Sequence, residues 1–214
     1  MDKNAAKQRL VDQFLEMVKI ASPSRQEGKF ADYLQKELEK IGFSVERDAA
    51  GEKAGGNTGN LIATLTGNSA AEPVLFCCHM DTVTPCDNIR PVVEGDVIRS
   101  DGSTILSGDD KAGIAAIIEG VRRIRERGVE HGLVQVLFTI CEEVGMHGSK
   151  GLDYGKIKSK WAFVLDAEGP LGQIVVQGPA KDVVKATVTG RSAHAGLSPE
   201  RGISAIQAAA RAVD

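Results

Sequence analysis

The sequence predicts an α/β protein, a three-layer sandwich around a mostly parallel central sheet, followed by the start of a smaller α+β unit. Three observations predict it. Several strands read as continuous apolar runs, VLFCC at Val74–Cys78 and LVQVLFTIC at Leu133–Cys141 among them, as strands covered on both faces do. Amphipathic helical stretches alternate with them. The texture changes near Gly178. We therefore expect one domain over residues 1–178 and the beginning of another over 179–214.

Each element has its own signal. Leu10, Phe14, Met17 and Val18 share a helical face, as do Phe30, Leu34, Leu38 and Ile41. Gly42 stops the second helix, and Ser22-Pro23-Ser24 separates the two. Strands are expected at Phe43–Ala49, Asn60–Gly67 and Pro73–His79, with a hairpin arm over Val92–Arg99. The glycine-rich run Gly51–Gly59 reads as a flexible surface loop. It has no GxGxxG and no GKS or GKT, so nothing in it points to a nucleotide. Asp109–Arg127 is a helix with Ile114, Ile117, Ile118, Val121 and Ile124 inward. Trp161–Glu168 is a further apolar strand. Residues 181–190, KDVVKATVTG, alternate as a strand does. A polar loop, GRSAHAGLSPERG, and a helix over Ile203–Asp214 follow.

Bulk composition removes several function classes. The 214 residues are 42% hydrophobic and 26% charged, with a net charge of −3. No long basic run is present, which argues against nucleic acid as the main partner. No apolar run nears the ~20 residues a membrane span needs. The first twenty residues read as an amphipathic helix and not as a signal peptide. The four cysteines, Cys77, Cys78, Cys86 and Cys141, have no CxxC spacing. They suggest a reduced, cytoplasmic protein without disulfides.

The chemistry sits at strand ends. His79 and Asp81 follow VLFCC, Glu142 and Glu143 follow VQVLFTIC, and Asp166 follows WAFVL. Asp109 and Asp110 stand between a glycine loop and a helix. In open α/β sheets the carboxyl edge is where ligands bind. Each residue has a plainer reading by itself: a core histidine, a helix N-cap at Asp109, a solvated loop at Glu142–Glu143. Together they form a histidine and several carboxylates converging on one edge, where like charges repel. A divalent cation relieves this. Imidazole and carboxylate suit zinc, cobalt or manganese, and the excess of carboxylates favours two ions ~3.5–4 Å apart with one carboxylate between them. Lys111 is expected to pair with an acid of the cluster. On this reading the Val74–His79 strand is a central rail that holds a rigid ligand at its tip.

The ordered motifs HMDTV, GDDKAG, CEEVGMHGS, LDAEGP and GRSAHAG resemble those of the dinuclear zinc exopeptidases of the peptidase T and glutamate carboxypeptidase type, most closely the bacterial peptidase T-like proteins. The resemblance covers nearly the whole chain and implies roles. His79 would bind one zinc, and Asp81 would orient it. Asp109 would bridge both metals, across a cis Asp109–Asp110 peptide. Glu142 would be the general base. Glu143 would bind the second zinc, and Asp166 the zinc shared with His79. His194, in the part resembling an inserted lid and dimerisation domain, would reach a neighbouring active site and help to stabilise an oxyanion. His131 and His147 match nothing and read as surface residues. The resemblance implies a homodimer acting on short peptides, with Asp at position 166 favouring release of the amino-terminal residue. The alternatives are an N-acyl-amino-acid deacylase of the same family and an inactive truncated relative. Family members are longer and supply a last histidine ligand after the lid. This sequence ends at Asp214 without it, so we expect it to be a piece of a longer chain.

Overall fold

The computed structural model describes residues 3–178, 180 and 182–213. It divides into two units, Met1–Gly169 and Pro170–Asp214. The boundary expected at 178/179 falls inside the second unit, and its Pro179 lies outside the described residues.

The first unit is built on a five-stranded sheet in the order β1-β2-β6-β3-β7. The strands are β1 (Ser44–Arg47), β2 (Leu61–Leu65), β3 (Val74–His79), β6 (Val134–Thr139) and β7 (Trp161–Val164). A separate hairpin pairs β4 (Pro91–Glu94) with β5 (Val97–Ser100). The sheet is mixed. β3 runs parallel to β6 and to β7, whereas β2 is antiparallel to β6 and to β1. Only β2 therefore points against the rest.

Alternation sorts the side chains to two faces. Leu61, Ala63, Leu65, Val134, Val136, Phe138 and Cys78 join the main core. The helices over it are α1 (Lys3–Val18), α2 (Gly28–Ile41) and α4 (Gly108–Glu126). The expected α2 stripe of Phe30, Leu34, Leu38 and Ile41 is buried in full, and the helix stops at a left-handed Gly42. On the other face Ile62, Leu75 and Leu137 meet Leu152 and Ile157, beside the short α5 (His147–Gly151) and a 3-10 turn at Tyr154–Lys156.

Several details differ from expectation. Among the described strands β6 stands in the middle of the order and is buried at every position. β3 lies between β6 and the edge, with Val74, Phe76 and Cys77 half-buried. Among the described residues β7 is that edge strand, and Trp161, Phe163 and Val164 are exposed. The glycine-rich run is not a loose loop. It opens with α3 (Ala50–Ala54), and the Asp48 carboxylate ties its ends together by accepting from the N–H groups of Ala50 and Asn60 at 3.0 and 2.8 Å. Residues 182–190 form no strand. A strand needs a partner for its backbone groups, and pairing here reduces to a single bridge between Arg191 and Ile203; Lys181 lies outside the described residues. The last helix is α6 (Ala205–Val213), and Asp214 is likewise outside. All four cysteines are free. Among the described residues no helix is long and apolar enough to cross a membrane.

Candidate metal centre

Because β3, β6 and β7 are mutually parallel, their carboxyl ends share one edge. His79 pairs with Thr139 and Cys77 with Val164. Asp166, two residues past Val164, therefore comes level with His79, and Glu142 and Glu143 follow just beyond Thr139. The start of α4 closes on the same edge. Asp109 and Asp110 are non-helical within it (φ −81°, ψ 110° and φ −112°, ψ 27°), and the peptide between them is cis, as the resemblance implies. Ser107, not Asp109, occupies the N-cap position.

Glycine makes the closure possible. A Cβ at Gly113 would lie 2.4 Å from Asp110 Oδ1, 2.7 Å from Cys78 Sγ and 2.8 Å from the Leu165 carbonyl oxygen. Any side chain there would push α4 off the tips of β3 and β7.

His79 is buried. Its Nδ1 lies 2.8 Å from the backbone carbonyl of Asp81 and 3.6 Å from the Asp81 carboxylate. A carbonyl only accepts, so Nδ1 carries the proton and Nε2 faces the acids, 2.9 Å from Asp109 Oδ1 and 3.9 Å from Asp166 Oδ1. Burial by itself would lower the imidazole pKa. Asp81, Asp109 and Asp166 outweigh it and push it up to about 10.

Asp81 does more than face the histidine. Its Oδ1 accepts the Glu142 N–H at 2.8 Å, and its Oδ2 accepts the Glu143 N–H at 3.2 Å and the Ser24 hydroxyl at 2.6 Å. Burial acts to raise its pKa, but His79, Ser24 and the Glu142 amide together hold it below the usual carboxylate range. The 22–24 segment runs beside it, with the Thr82 N–H bonded to the Ser22 carbonyl at 3.0 Å.

The remaining acids repel one another. Burial pushes Asp110 up to about 7. Glu143 is raised by burial and by Asp109, and Asp166 by burial and by Asp109 and Glu142. Two sets of ligand atoms each fall within 4.8 Å of one another, His79–Asp109–Glu143 and His79–Asp110–Asp166. Asp110 Oδ2 is buried without a hydrogen-bond partner. An imidazole nitrogen turned toward crowded carboxylates, with an orphaned carboxylate oxygen among them, fits a divalent cation.

The sequence assigns no role to Asp110, Ser24 or Gly113. Lys111 does not pair with an acid. It is fully buried, donates to the Ile20 carbonyl at 2.7 Å and sits 4.5 Å over the Phe30 ring; no ion pair involves it among the described residues. His131 and His147 are half-buried, and His131 Nδ1 bonds the Gly132 carbonyl at 2.7 Å. His194 belongs to the second unit, where its Nδ1 accepts the N–H groups of Gly196 and Leu197 at 3.2 and 3.1 Å.

Fold and site together define an α/β protein with a histidine–carboxylate centre at the carboxyl edge of its sheet, the arrangement of metal-dependent hydrolases. Residues 60–204 match peptidase family M28, and the chain belongs to that family. It is 40% identical over 205 residues to the protein YqjE of Bacillus subtilis strain 168, covering 96% of this chain and 55% of that protein. It is 28% identical to peptidase T of Listeria monocytogenes serotype 4b, covering 95% of this chain and 58% of that one. Among solved structures, aminopeptidase PepT of Bacillus cereus ATCC 10987 superposes with a TM-score of 0.82 at 36% identity, over 97% of this chain and 56% of that one. A tripeptidase of Staphylococcus aureus Mu50 gives 0.86 at 33% identity, with the same coverage. The chain thus spans a little over half the length of these relatives.

Proposed function

We propose that the protein hydrolyses peptide bonds in short peptides, releasing the amino-terminal residue, with two divalent metal ions. The observation that carries this reading is the convergence of His79 with Asp109 and Glu143 in one set of ligand atoms and with Asp110 and Asp166 in another. The family membership and the likeness to an aminopeptidase and a tripeptidase support it.

His79, Asp109, Glu143 and Asp166 would hold the ions, zinc by preference, with cobalt or manganese suited to the same donors. When bound, such ions supply Lewis-acid activation of a water and neutralise developing charge. Glu142 takes the proton from the attacking water and returns it to the leaving amine. Asp81 fixes the imidazole through its carbonyl oxygen and the Glu142–Glu143 backbone through its carboxylate. His194, from a neighbouring copy in a homodimer, would donate to the oxyanion. A cytoplasmic location would keep the four cysteines as thiols.

The test compares tripeptides with N-acyl amino acids as substrates of the zinc-loaded protein, with and without a chelator. Tripeptide turnover that disappears on chelation is the expected result. Turnover of acyl amino acids alone would reassign the protein as a deacylase, and turnover of neither would end the reading.

A further inference from the structure

Glu27 takes no part in the chemistry above, yet it is completely buried within a polar stretch, Ser24–Lys29, of a kind that ordinarily faces water. It stands directly before α2. Its Oε1 accepts the backbone N–H of Arg25 at 3.0 Å and, 114 residues away in sequence, that of Cys141 at 3.0 Å. The Cys141 thiol donates to the same oxygen at 3.4 Å. Oε2 is buried with no hydrogen-bond partner.

Cys141 immediately precedes Glu142 and has φ +53°. A non-glycine residue holds that left-handed conformation only where its surroundings enforce it. The N–H groups of Cys141, Glu142 and Glu143 are consecutive, and each is taken by a buried carboxylate. Glu27 Oε1 accepts the first at 3.0 Å, Asp81 Oδ1 the second at 2.8 Å and Asp81 Oδ2 the third at 3.2 Å. Ser24 also holds Asp81, at 2.6 Å. One short segment, residues 24–27, thus supports the turn from both sides, through Ser24 and Asp81 and directly through Glu27.

We propose that Glu27 is a positioning residue: by holding the Cys141 N–H it locks the left-handed backbone there and aims the Glu142 carboxylate into the metal centre. The inference rests on the reading of Glu142 as general base. Without the Glu27 acceptor the Cys141 N–H is left buried and unpaired. Cys141 then relaxes toward negative φ, and rotation at that residue swings Glu142. A displacement of ~1 Å at a reacting group can cost ~10²-fold in rate.

The experiment uses Glu27→Ala, Glu27→Asp and Glu27→Gln in the full zinc-loaded chain. The readouts are kcat and KM on a tripeptide per folded molecule, bound zinc, Tm, and amide hydrogen exchange across residues 140–144 and across α2. Aspartate is too short to reach Cys141, whereas glutamine offers an acceptor oxygen at the same reach. Glu27→Ala and Glu27→Asp should lose about 10- to 100-fold in kcat, a loss exceeding any change in KM or in bound zinc. Exchange should speed up at 140–144 while that of α2 holds. Glu27→Gln should restore both kcat and protection, even at a lower Tm. If alanine does not fold, the aspartate variant carries the test. A Tm loss in Glu27→Asp with wild-type kcat and unchanged exchange at 140–144 would overturn the proposal and leave Glu27 a prop for α2. Wild-type protein without peptidase activity would remove the general-base reading, and the exchange arm would still decide whether Glu27 holds the turn. Glu142→Ala, as control, should lose kcat with exchange at 140–144 unchanged.

Discussion

Asp81 Oδ1 accepts the backbone N–H of Glu142 at 2.8 Å, so the residue two past His79 fixes the turn that carries the proposed base. The tip of β3 and the tip of β6 are joined by this carboxylate as well as by the strand ladder. Asp81→Asn replaces an oxygen by an N–H donor where two amides and a hydroxyl already donate. We expect a stability loss of roughly 2–4 kcal/mol in chemical denaturation, together with a kcat loss exceeding any loss of bound zinc. Unchanged kcat in folded Asp81→Asn would separate Asp81 from the turn.

Asp109 should control metal binding. Its Oδ1 lies 2.9 Å from His79 Nε2, and it shares a ligand set with Glu143. Zinc should raise the Tm of the wild type by linkage, by the equivalent of about 2.7 kcal/mol at a hundredfold excess over Kd. In Asp109→Asn that rise should largely vanish along with turnover. A full thermal response to zinc in the variant would take Asp109 out of the ligand set.

The contact at Gly113 makes a sharper prediction than its small size suggests. Gly113→Ala puts a methyl group within 2.4 Å of Asp110 Oδ1 and 2.8 Å of the Leu165 carbonyl oxygen. Overpacking of this kind costs about 1–3 kcal/mol. Here it should also weaken zinc binding, since Asp110 and the tip of β7 must shift. Thermal unfolding checks the first effect and calorimetric titration with zinc the second; a variant matching wild type in Tm and affinity would mean that α4 rides up freely.

Lys111 predicts a pH dependence. Burial lowers its pKa from 10.5 to about 8. Below about 8 the lysine is charged in both folded and unfolded chains, and the full cost of burying the charge stands. Between about 8 and 10.5 the unfolded chain keeps the proton that the folded chain has lost, so this group's contribution to stability rises with pH. The window corresponds to roughly 3 kcal/mol. Denaturation of wild type and Lys111→Met at several pH values should show wild type gaining on the variant across that window. A constant difference would contradict it.

The legible parts of this protein are those that depend on neighbours in sequence. The α2 stripe of Phe30, Leu34, Leu38 and Ile41 is a local period, and all four are buried. His79 and Asp166 mark themselves by ending apolar runs at one edge. What stayed hidden depends on distant partners. Glu27 sits in SRQEGK with no periodic signal, and its burial follows from Cys141, 114 residues on. Asp110 reads like its neighbour Asp109 until α4 closes and leaves its Oδ2 buried without a partner. β7 spells an apolar strand in WAFV, and among the described residues it stands last in the sheet order, with Trp161, Phe163 and Val164 exposed.

In the proposed mechanism this metal centre drives hydrolysis with Glu142 as its base. The most direct test is Glu142→Ala: bound zinc by elemental analysis, and kcat on a tripeptide, measured on the same preparation beside wild type. A general-base role for Glu142 predicts zinc content equal to wild type and kcat reduced by ~10²-fold or more. Undiminished kcat at equal zinc content would contradict it.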